Sequence, residues 1–420
     1  MNKKLFALAL VLVMVMSIFA GCGSSGKGSV YWLNFKPESD EALQQVAAMY
    51  EKETGVKVKV VTAASGTYEQ QLTSELGKSA PPTIFVVSNT TGLEKWGNYV
   101  SDLTNTAVVN ELNTDAYNMY TADGKLGAIG YCYETYGIIV NPDLVEKAGH
   151  SMSEITNFDG LKAVVEDIHA RADELGFDAF TACDMDGSSS WRFTGHLINL
   201  EYYYEQEGTI WTEAPKTLTG KYMPYYKNLY DLMINNSVTA PTDLAAGGHD
   251  PSTQFKNLQA AFHPQGSWEY SNISESVPGA TMIPYYCGMA GEENMGLNSG
   301  TGNYWVVNGK ASEADQKATL DFLYWCVTNA EASRILVDSF GVMPFKNAAE
   351  STNKFLAAAN EYASRGCANM NWATNFQPDE SSYRPPVVSA LNEYNANQTE
   401  ENWAKVCTAF IDGWGMLLNK

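Results

Sequence analysis

Residues 30–35 read VYWLNF, residues 56–60 read VKVKV and residues 83–87 read TIFVV. The first and last runs are apolar enough for buried strands, whereas the alternation of Val with Lys is typical of a strand with one face in water. Between these strands, apolar residues recur at helical spacing from Leu43 to Tyr50 and from Tyr68 to Leu76. The resulting order βαβαβ predicts an α/β protein with a mainly parallel sheet and right-handed crossovers.

The rest of the chain continues this alternation. A length of 420 residues predicts two or three domains, and no internal repeat or long linker follows the N-terminal segment. Further strands are predicted at residues 137–140, 178–183, 260–262 and 304–307, and helices at residues 161–168, 191–234 and from 312 onward.

The composition excludes several functional classes. The net charge is −21 and no basic stripe is present, so we expect no nucleic-acid partner. The chain contains no GxSxG elbow, HExxH pair or Walker A loop and no GxGxxG motif after a predicted strand, and its five His residues have no metal-ligand spacing. We therefore expect no cofactor and no metal. The 24 Tyr and 10 Trp residues are abundant, and aromatic faces stack on sugars as well as fill cores.

The N-terminal residues have the pattern of an export signal. Lys3 and Lys4 precede an apolar run at residues 5–16, which is too short for a membrane span. The following Ala20-Gly21-Cys22 resembles the bacterial lipobox, although Phe19 stands where Leu is usual. We therefore predict a lipoprotein signal peptide at residues 1–21, lipidation of Cys22 and a flexible tether at residues 22–29. The alternative is ordinary signal-peptidase cleavage that leaves Cys22 as a free thiol.

Six further cysteines remain after export, and no two of them are close in sequence. This spacing rules out a zinc pattern but permits up to three disulfides, between whose connectivities the sequence does not choose. We favour unpaired core thiols for most of them, because buried free cysteines are common.

Four segments carry motifs in a fixed order. They are YEQQL with PTIF (68–85), DGKL with YGIIVNPDL (123–144), F with AAFHPQGSWEYSNI (255–273) and GNYWVVN (302–308). Together they resemble the bacterial extracellular solute-binding proteins of family 1, the maltose-binding-protein-like sugar receptors of ABC importers. Thr83 departs from the family's Asp, and Leu258-Gln259 replaces its favoured Gly-Lys.

The resemblance implies a two-lobe periplasmic-binding-protein fold of type II, with a mainly parallel sheet in each lobe and hinge crossings between the lobes. Lobe one would comprise residues 30–133 plus 305–345, and lobe two residues 137–302 plus 348–420. The implied function is capture of an oligosaccharide by hinge closure and its delivery to ABC permease subunits, without catalysis. We expect a monomer held by its lipid on the extracellular face of the cell membrane, or in the periplasm of a Gram-negative cell.

Candidate ligand contacts follow from two sources. In open α/β sheets, ligands bind beyond the carboxyl ends of the strands, and these ends carry Asn34, Lys36 and Asn89. Their amide and amine groups suit hydrogen bonds to sugar hydroxyls, although each also fits a plain turn. The last motif adds Asn303 and Tyr304.

The resemblance singles out an acid and two aromatic residues. Glu134 matches a Glu that meets sugar hydroxyls in the maltose-binding branch, and a solvated hinge acid is the alternative. Trp268, directly after Gln265-Gly266-Ser267, is expected to stack on the ligand rather than to fill a core. Trp191 stands where the family places an aromatic residue of the second lobe.

The stretch from residue 369 to 386 supplies the last candidates, Trp372, Tyr383 and Arg384, since family members often reach into the cleft there. Two other functions stay open at this point. The same fold could bind a polyamine, a phosphodiester or a metal chelate, and a surface glycosidase would need a carboxylate pair about 5–9.5 Å apart.

Overall fold

The computed structural model describes residues 26–418, so the predicted signal peptide and Cys22 lie outside it. The strands are β1 (Ser29–Asn34), β2 (Lys57–Thr62), β3 (Ile84–Val87), β4 (Asn118–Tyr120), β5 (Leu126–Gly130), β6 (Glu134–Val140), β7 (Asp178–Phe180), β8 (Ala260–Gly266), β9 (Thr281–Ile283), β10 (Met295–Gly300), β11 (Tyr304–Val307) and β12 (Ala368–Met370). The α-helices are α1 (Asp40–Thr54), α2 (Tyr68–Leu76), α3 (Thr90–Lys95), α4 (Pro142–Lys147), α5 (Phe158–Ala170), α6 (Ala172–Leu175), α7 (Asn199–Glu205), α8 (Met223–Asn235), α9 (Pro251–Lys256), α10 (Tyr270–Ile273), α11 (Glu313–Thr328), α12 (Ala330–Phe340), α13 (Lys354–Ser364), α14 (Glu380–Ala396) and α15 (Glu400–Leu418). None of these helices has both the length and the apolar character that a membrane span requires.

The first sheet has six strands in the order β2-β1-β3-β11-β5-β4. Strand β1 pairs in parallel with β2 and with β3, as the βαβαβ pattern predicts. Helix α1 ends at Gly55, whose φ of 72° is readily adopted only by glycine. Fully buried Trp32, Phe85 and Trp305 lie in one hydrophobic cluster with the helices that flank this sheet. We call this sheet and its cluster the first lobe.

The second sheet has the order β12-β10-β6-β8-β7, and β9 also pairs with β6. Its strand β6 is buried along its whole length, which explains the uninterrupted apolar run Ile138-Ile139-Val140 in the sequence. Most of the hydrophobic cluster around it comes from residues between 136 and 287 and between 370 and 414. We call this sheet with its helices the second lobe, and the predicted two-lobe α/β fold is confirmed.

The prediction of mainly parallel sheets is wrong. Strand β11 runs antiparallel to β3 and β5, and β6 runs antiparallel to β8 and β10. The cause is that β6 and β11 begin where the chain arrives from the other lobe. Such a strand starts on the side of the sheet that holds the carboxyl ends of the parallel strands, so it must run in the opposite direction.

The segments that connect the lobes lie side by side. The chain crosses between β5 and β6 and again between β10 and β11. Tyr131 N donates to Asn303 O over 3.2 Å, and Tyr133 N donates to Val342 O over 2.6 Å. The first bond joins the two crossings, and the second joins the first crossing to the segment that follows α12, so these segments form a hinge in which backbone groups bond to each other.

Two local predictions differ from the structure. Residues 191–234 are not continuously helical, because residues 206–222 form a loop with left-handed φ at Glu207 and Gly208. The tether predicted at residues 22–29 includes residues that are bound. Ser29 N donates to Asp315 Oδ1 over 2.7 Å, and a Cβ at Gly28 would lie 2.1 Å from Ala314 O.

The six cysteines of the described range are free thiols. Four of them, Cys132, Cys183, Cys287 and Cys326, are buried. Burial comes first among the causes that raise the pKa of Cys287 to about 12, so this thiol stays protonated. The preference for unpaired core thiols is therefore confirmed for these four.

Candidate functional site

The end of β1 places a buried lysine between the lobes. Asn34 Oδ1 accepts from Lys36 N over 3.0 Å and Asn34 Nδ2 donates to Lys36 O over 2.6 Å, so this amide fixes the turn after the strand. Lys36 Nζ lies 2.7 Å from Glu134 Oε1 of the second lobe and 3.0 Å from Glu38 Oε1. Asn34 was predicted as a ligand contact, but it is fully buried and supports Lys36 instead.

Glu134 is the centre of this polar group. Its Oε1 accepts from Lys36, and its Oε2 accepts from Asn303 Nδ2 over 2.8 Å. Asn303 Oδ1 is buried and has no donor among the described residues. The structure thus brings together three of the predicted residues, one from each lobe and one from the hinge.

Two carboxylates contact the single positive charge of Lys36 in this group. Burial by itself would lower the pKa of Lys36, but the carboxylates of Glu134 and Glu38 outweigh burial and hold that pKa above its ordinary value. Lys36 therefore remains protonated, and its charge is already matched by two acids. A buried ion pair of this kind costs desolvation and is weak evidence for stability, which favours a functional reason for its presence.

A row of five rings forms the second-lobe side of the site. Trp191 lies 6.2 Å from Trp268, and the ring centroid of Trp268 lies 5.3 Å from that of His196. His196 stacks on Tyr136 at 4.1 Å with an interplanar angle of 5°, and Tyr136 lies 5.1 Å from Trp372. We call this set the ring row, and it includes three of the four aromatic residues that were predicted on the second lobe.

The local backbone explains why Trp268 stands there. Strand β8 ends at Gly266, and Ser267 Oγ accepts from Thr135 N over 3.1 Å, which fixes the turn to β6. A Cβ at Gly266 would lie 2.1 Å from the indole of Trp268, so only glycine leaves room for the ring. Trp268 remains partly exposed, and Lys36 Nζ lies 5.7 Å from its centroid.

His196 is neutral in this position. Burial comes first among the causes that hold its pKa well below the ordinary value, and nearby Arg384 and Arg192 act in the same direction. A neutral imidazole stacked on Tyr136 behaves as one more flat ring. This makes the middle of the ring row uncharged.

A pocket of about 320 Å³ lies between the lobes beside the hinge. Asn89 and Tyr304 line it from the first lobe, and Trp372 lines it from the second. Asn89 Oδ1 caps α3 by accepting from Gly92 N over 2.7 Å. Trp372 lies over the hinge, since a Cβ at Gly300 would be 2.9 Å from its ring. Two more predicted residues, Asn89 and Tyr304, therefore meet Trp372 at this pocket.

The last two candidates lie elsewhere. Tyr383 is buried in the core of the second lobe, where its hydroxyl donates to Phe410 O over 2.7 Å. Arg384 donates to Glu380 and Gln377 over 2.8 and 3.0 Å, with Gly195 against its guanidinium. Their prediction as ligand contacts is corrected, because α14 turns both side chains into their own lobe.

The lobes touch at both ends of the site. At one end a Cβ on Gly66 would lie 2.1 Å from Gly187 O. At the other end Lys95 of α3 forms an ion pair of 3.0 Å with Asp379, and it also pairs with Glu69 at 2.8 Å. The structure therefore has its lobes closed on each other.

Sequence reasoning did not select Tyr136 and His196 of the ring row, nor Phe35, the exposed residue after β1. Tyr136 stands in a strand motif, and His196 is one of five scattered histidines without metal spacing. Phe35 follows β1, is 37% exposed and lies edge-on to Tyr68 at 5.2 Å. The signal that could have found Phe35 is its place at the carboxyl end of a parallel strand, beside two residues that were chosen.

Comparison with known proteins agrees with this architecture. A family model described as bacterial extracellular solute-binding protein matches residues 45–363. The structure is similar to a chitin oligosaccharide binding protein, with a TM-score of 0.71 and 16% identity over 94% of this chain and 100% of the other. It is similar to the solute-binding protein RafE in complex with raffinose, with a TM-score of 0.68 and 18% identity over 92% of this chain and 99% of the other. It is also similar to the ABC substrate-binding protein Lmo0181 of Listeria monocytogenes in complex with cycloalternan, with a TM-score of 0.66 and 16% identity over 91% of this chain and 98% of the other.

No curated protein sequence matches the chain. Identities at this level establish the fold, whereas the family model matches well over half of the chain. The chain belongs to the bacterial extracellular solute-binding proteins.

Proposed function

We propose that this protein is the lipid-anchored substrate-binding protein of a carbohydrate ABC importer, and that it captures an oligosaccharide by hinge closure. The observation that carries the proposal is the ring row beside the Lys36–Glu134–Asn303 group. Aromatic faces offer a large apolar area for the C–H faces of sugar rings, and a carboxylate with amides gives directional bonds to hydroxyls. The ligands named for three similar structures, raffinose, a chitin oligosaccharide and cycloalternan, are also carbohydrates.

The arrangement favours sugar over the other solutes. A phosphodiester would need an unmatched cation, but Lys36 already pairs with Glu134 and Glu38. A polyamine carries several separated cations and would need several unmatched carboxylates, whereas the group of Lys36, Glu134 and Glu38 has only one carboxylate in excess. Within the described residues, no group of three or more His, Cys, Asp or Glu side chains is arranged to hold a metal ion.

A ligand panel tests the solute class. Calorimetry would compare raffinose, maltotriose and triacetylchitotriose with spermidine, glycerophosphocholine and ferric citrate. We expect binding of at least one sugar and of none of the other compounds. Binding of spermidine alone, or of any other non-sugar alone, would replace the carbohydrate proposal with that class.

Closure and the absence of catalysis need separate measurements. We expect the two lobes, with the bounds predicted from the sequence, to move as rigid units. Small-angle scattering should therefore give a smaller radius of gyration with a saturating sugar than without it. An equal radius in both samples would contradict hinge closure. Incubation with fluorescently labelled trisaccharides should release no shorter product, and release would favour a glycosidase.

The anchor is tested in the producing cell. Cys22→Ala should move the protein from the membrane fraction to the soluble fraction, because acylation would be lost. Cys407→Ala serves as the control, since this thiol is half-buried on the last helix. A Cys22→Ala protein that stays on washed membranes would contradict lipid anchoring.

The proposed permease contact and monomeric state follow from the family and are tested by cross-linking and sedimentation.

A further inference from the structure

A π-helix at Arg192–Leu197 positions two rings of the ring row. A π-helix holds more residues in each turn than an α-helix, because its hydrogen bonds span five residues instead of four. Trp191 and His196 are five residues apart, and this wider turn brings their ring centroids to 4.8 Å. π-Helices are rare and occur frequently at functional sites. The ring row therefore depends on the local shape of this helix.

The π-helix leaves one backbone carbonyl without its α-helical donor. Ile198 N donates to Phe193 O over 3.3 Å, five residues back, whereas an α-helix would pair it with Thr194 O. Gln377 supplies a donor instead, since its Nε2 lies 2.8 Å from Thr194 O. The amide is fully buried, and its Oε1 accepts from Arg384 Nη2 over 3.0 Å. Gln377 therefore fixes the π-helix from 183 residues away in sequence.

Arg384 packs against the same helix. A Cβ at Gly195 would lie 2.9 Å from Arg384 Nη2, so the guanidinium covers the π-helix where a glycine leaves room. The same Nη2 donates to Glu380 Oε1 over 2.8 Å. We call residues 377–384 the 377–384 segment, and it contacts the π-helix at a carbonyl and at a glycine.

The 377–384 segment also contacts the first lobe. Thr91 Oγ1 of α3 donates to Gln377 O over 3.4 Å, and Lys95 Nζ lies 3.0 Å from Asp379 Oδ1. Thr91 and Lys95 are four residues apart and therefore lie on one face of α3. Both contacts join the lobes, so opening at the hinge breaks them. Gln377 thus bonds to the first lobe with its backbone and to the π-helix with its side chain.

We propose that Gln377 is a positioning residue of the ligand site, and that it couples closure of the lobes to the shape of the ring row. In the closed protein α3 fixes the 377–384 segment, the segment fixes the π-helix, and the π-helix aligns Trp191 and His196 with Trp268. Because coupling is reciprocal, a ligand that orders these rings also favours closure. The proposal rests on the proposed sugar binding by hinge closure and adds the route by which closure reaches the rings.

Hydrogen exchange tests this route from the first lobe. The sample is the complex with raffinose, maltotriose or triacetylchitotriose, whichever binds most tightly, at low salt and equal saturation. Thr91→Val with Lys95→Met removes the hydroxyl and the ammonium group that contact the 377–384 segment. The amides of residues 194–198 should then exchange at least about twofold faster than in the wild-type protein, although both substitutions are in the other lobe.

The matched control makes the same two changes elsewhere on the first lobe. Thr73 Oγ1 donates to Glu69 O over 2.8 Å, and Lys78 Nζ lies 2.7 Å from Glu75 Oε1, so both contacts stay within that lobe. Thr73→Val with Lys78→Met should leave the exchange of the π-helix unchanged.

Two substitutions of Gln377 test its own part. Gln377→Met removes the amide, whereas Gln377→Glu keeps an acceptor for Arg384 but offers no donor to Thr194 O. Both should speed exchange of the same amides and weaken sugar binding by at least about fivefold, because a buried carbonyl is left unpaired. The control is Gln254→Met, since this half-buried Gln of α9 accepts from Ala182 N over 2.8 Å within the second lobe. It should change neither quantity.

A combined variant distinguishes coupling from a structural role. Once Gln377→Met has cut the connection, Thr91→Val with Lys95→Met should have no further effect on the exchange of residues 194–198. A merely structural Gln377 would give additive effects, since independent sites add.

The outcomes separate this proposal from the proposed function. If the protein closes on a sugar but Thr91→Val with Lys95→Met leaves the π-helix amides unchanged, only the coupling is overturned. Additive effects in the combined variant, or wild-type exchange in Gln377→Glu, would also overturn only the coupling. If none of the three sugars binds and closes the protein, the proposed function fails, and the coupling fails with it.

Discussion

Replacement of Trp268 by Ala tests the binding site most directly. The indole is partly exposed at the end of the ring row and has Lys36 above it and His196 beside it. An aromatic side chain buries about 150–250 Å² in all, and if roughly 100 Å² of it faces the ligand, the loss is about 2.5 kcal/mol at ~25 cal/mol per Å². Truncation of a buried aromatic contact typically costs about 2 kcal/mol or more. Both values correspond to at least about thirtyfold weaker binding.

The same structure limits the effect on stability. Fully buried Trp residues cost about 3–5 kcal/mol when they are replaced by Ala, whereas Trp268 is only half-buried, so its loss should cost less. The assay is calorimetry with the tightest sugar of the panel, together with the melting temperature of the protein without ligand. Trp325→Ala is a matched control, because Trp325 is half-buried on the first lobe against Tyr50.

The opposite pattern would show that Trp268 does not contact the ligand. If Trp268→Ala strongly lowers the melting temperature but keeps the affinity at temperatures where it is folded, Trp268 is a core residue. Trp325→Ala should lower the melting temperature without changing the affinity. Equal affinity losses in both variants would point to general destabilisation rather than to a contact.

Three further predictions concern other parts of the molecule. Burial and the neighbouring Glu205 raise the pKa of Glu201 to about 9. The contribution of Glu201 to stability is therefore complete below the ordinary pKa of 4.5 and is lost as the pH rises to about 9. Glu201→Gln should flatten the fall of the melting temperature between pH 5 and 9, and an unchanged slope would contradict this. Lys95→Met removes the interlobe ion pair with Asp379, which is partly exposed and worth about 0–1 kcal/mol, so it should weaken sugar binding by up to about fivefold at low salt. In 1 M NaCl the wild-type protein and Lys95→Met should bind sugar equally well, and a persistent difference would exclude charge as the cause. Gly266→Ala should lose affinity as Trp268→Ala does, because the added methyl displaces the indole, and full affinity would show that the ring can move without consequence.

Local patterns were sufficient for much of the fold. The apolar runs at β1, β3 and β11 are buried on both faces, and such strands are visible in sequence as uninterrupted stretches. Gly55 and Ser312 act locally as helix stop and helix cap, so both boundaries could be predicted. Strand direction could not be predicted in the same way, because β6 and β11 obtain theirs from the route of the chain between lobes.

The place of a side chain between the lobes was predictable where a sequence motif marks it. Trp268 and Glu134 stand in recognisable motifs, and the structure places both between the lobes. His196 was not predictable, since its role depends on Tyr136, which is distant in sequence and stacks on it only after folding. Tyr383 failed for the converse reason, because the direction of a side chain on a helix with two internal prolines depends on the packing of its lobe.

The contact between Gly66 and Gly187 has a mechanical consequence. The two main chains meet where neither residue has a Cβ, so the closed distance between the lobes is limited by backbone atoms and not by side-chain rotamers. Such a contact acts as a hard stop, and the enclosed volume should be the same for every ligand that fits. A larger solute would hold the stop apart, and a complex with an open rim would then be presented to the transport machinery. The approach of Gly66 to Gly187 would in this way limit the size of the solute that a fully closed complex holds.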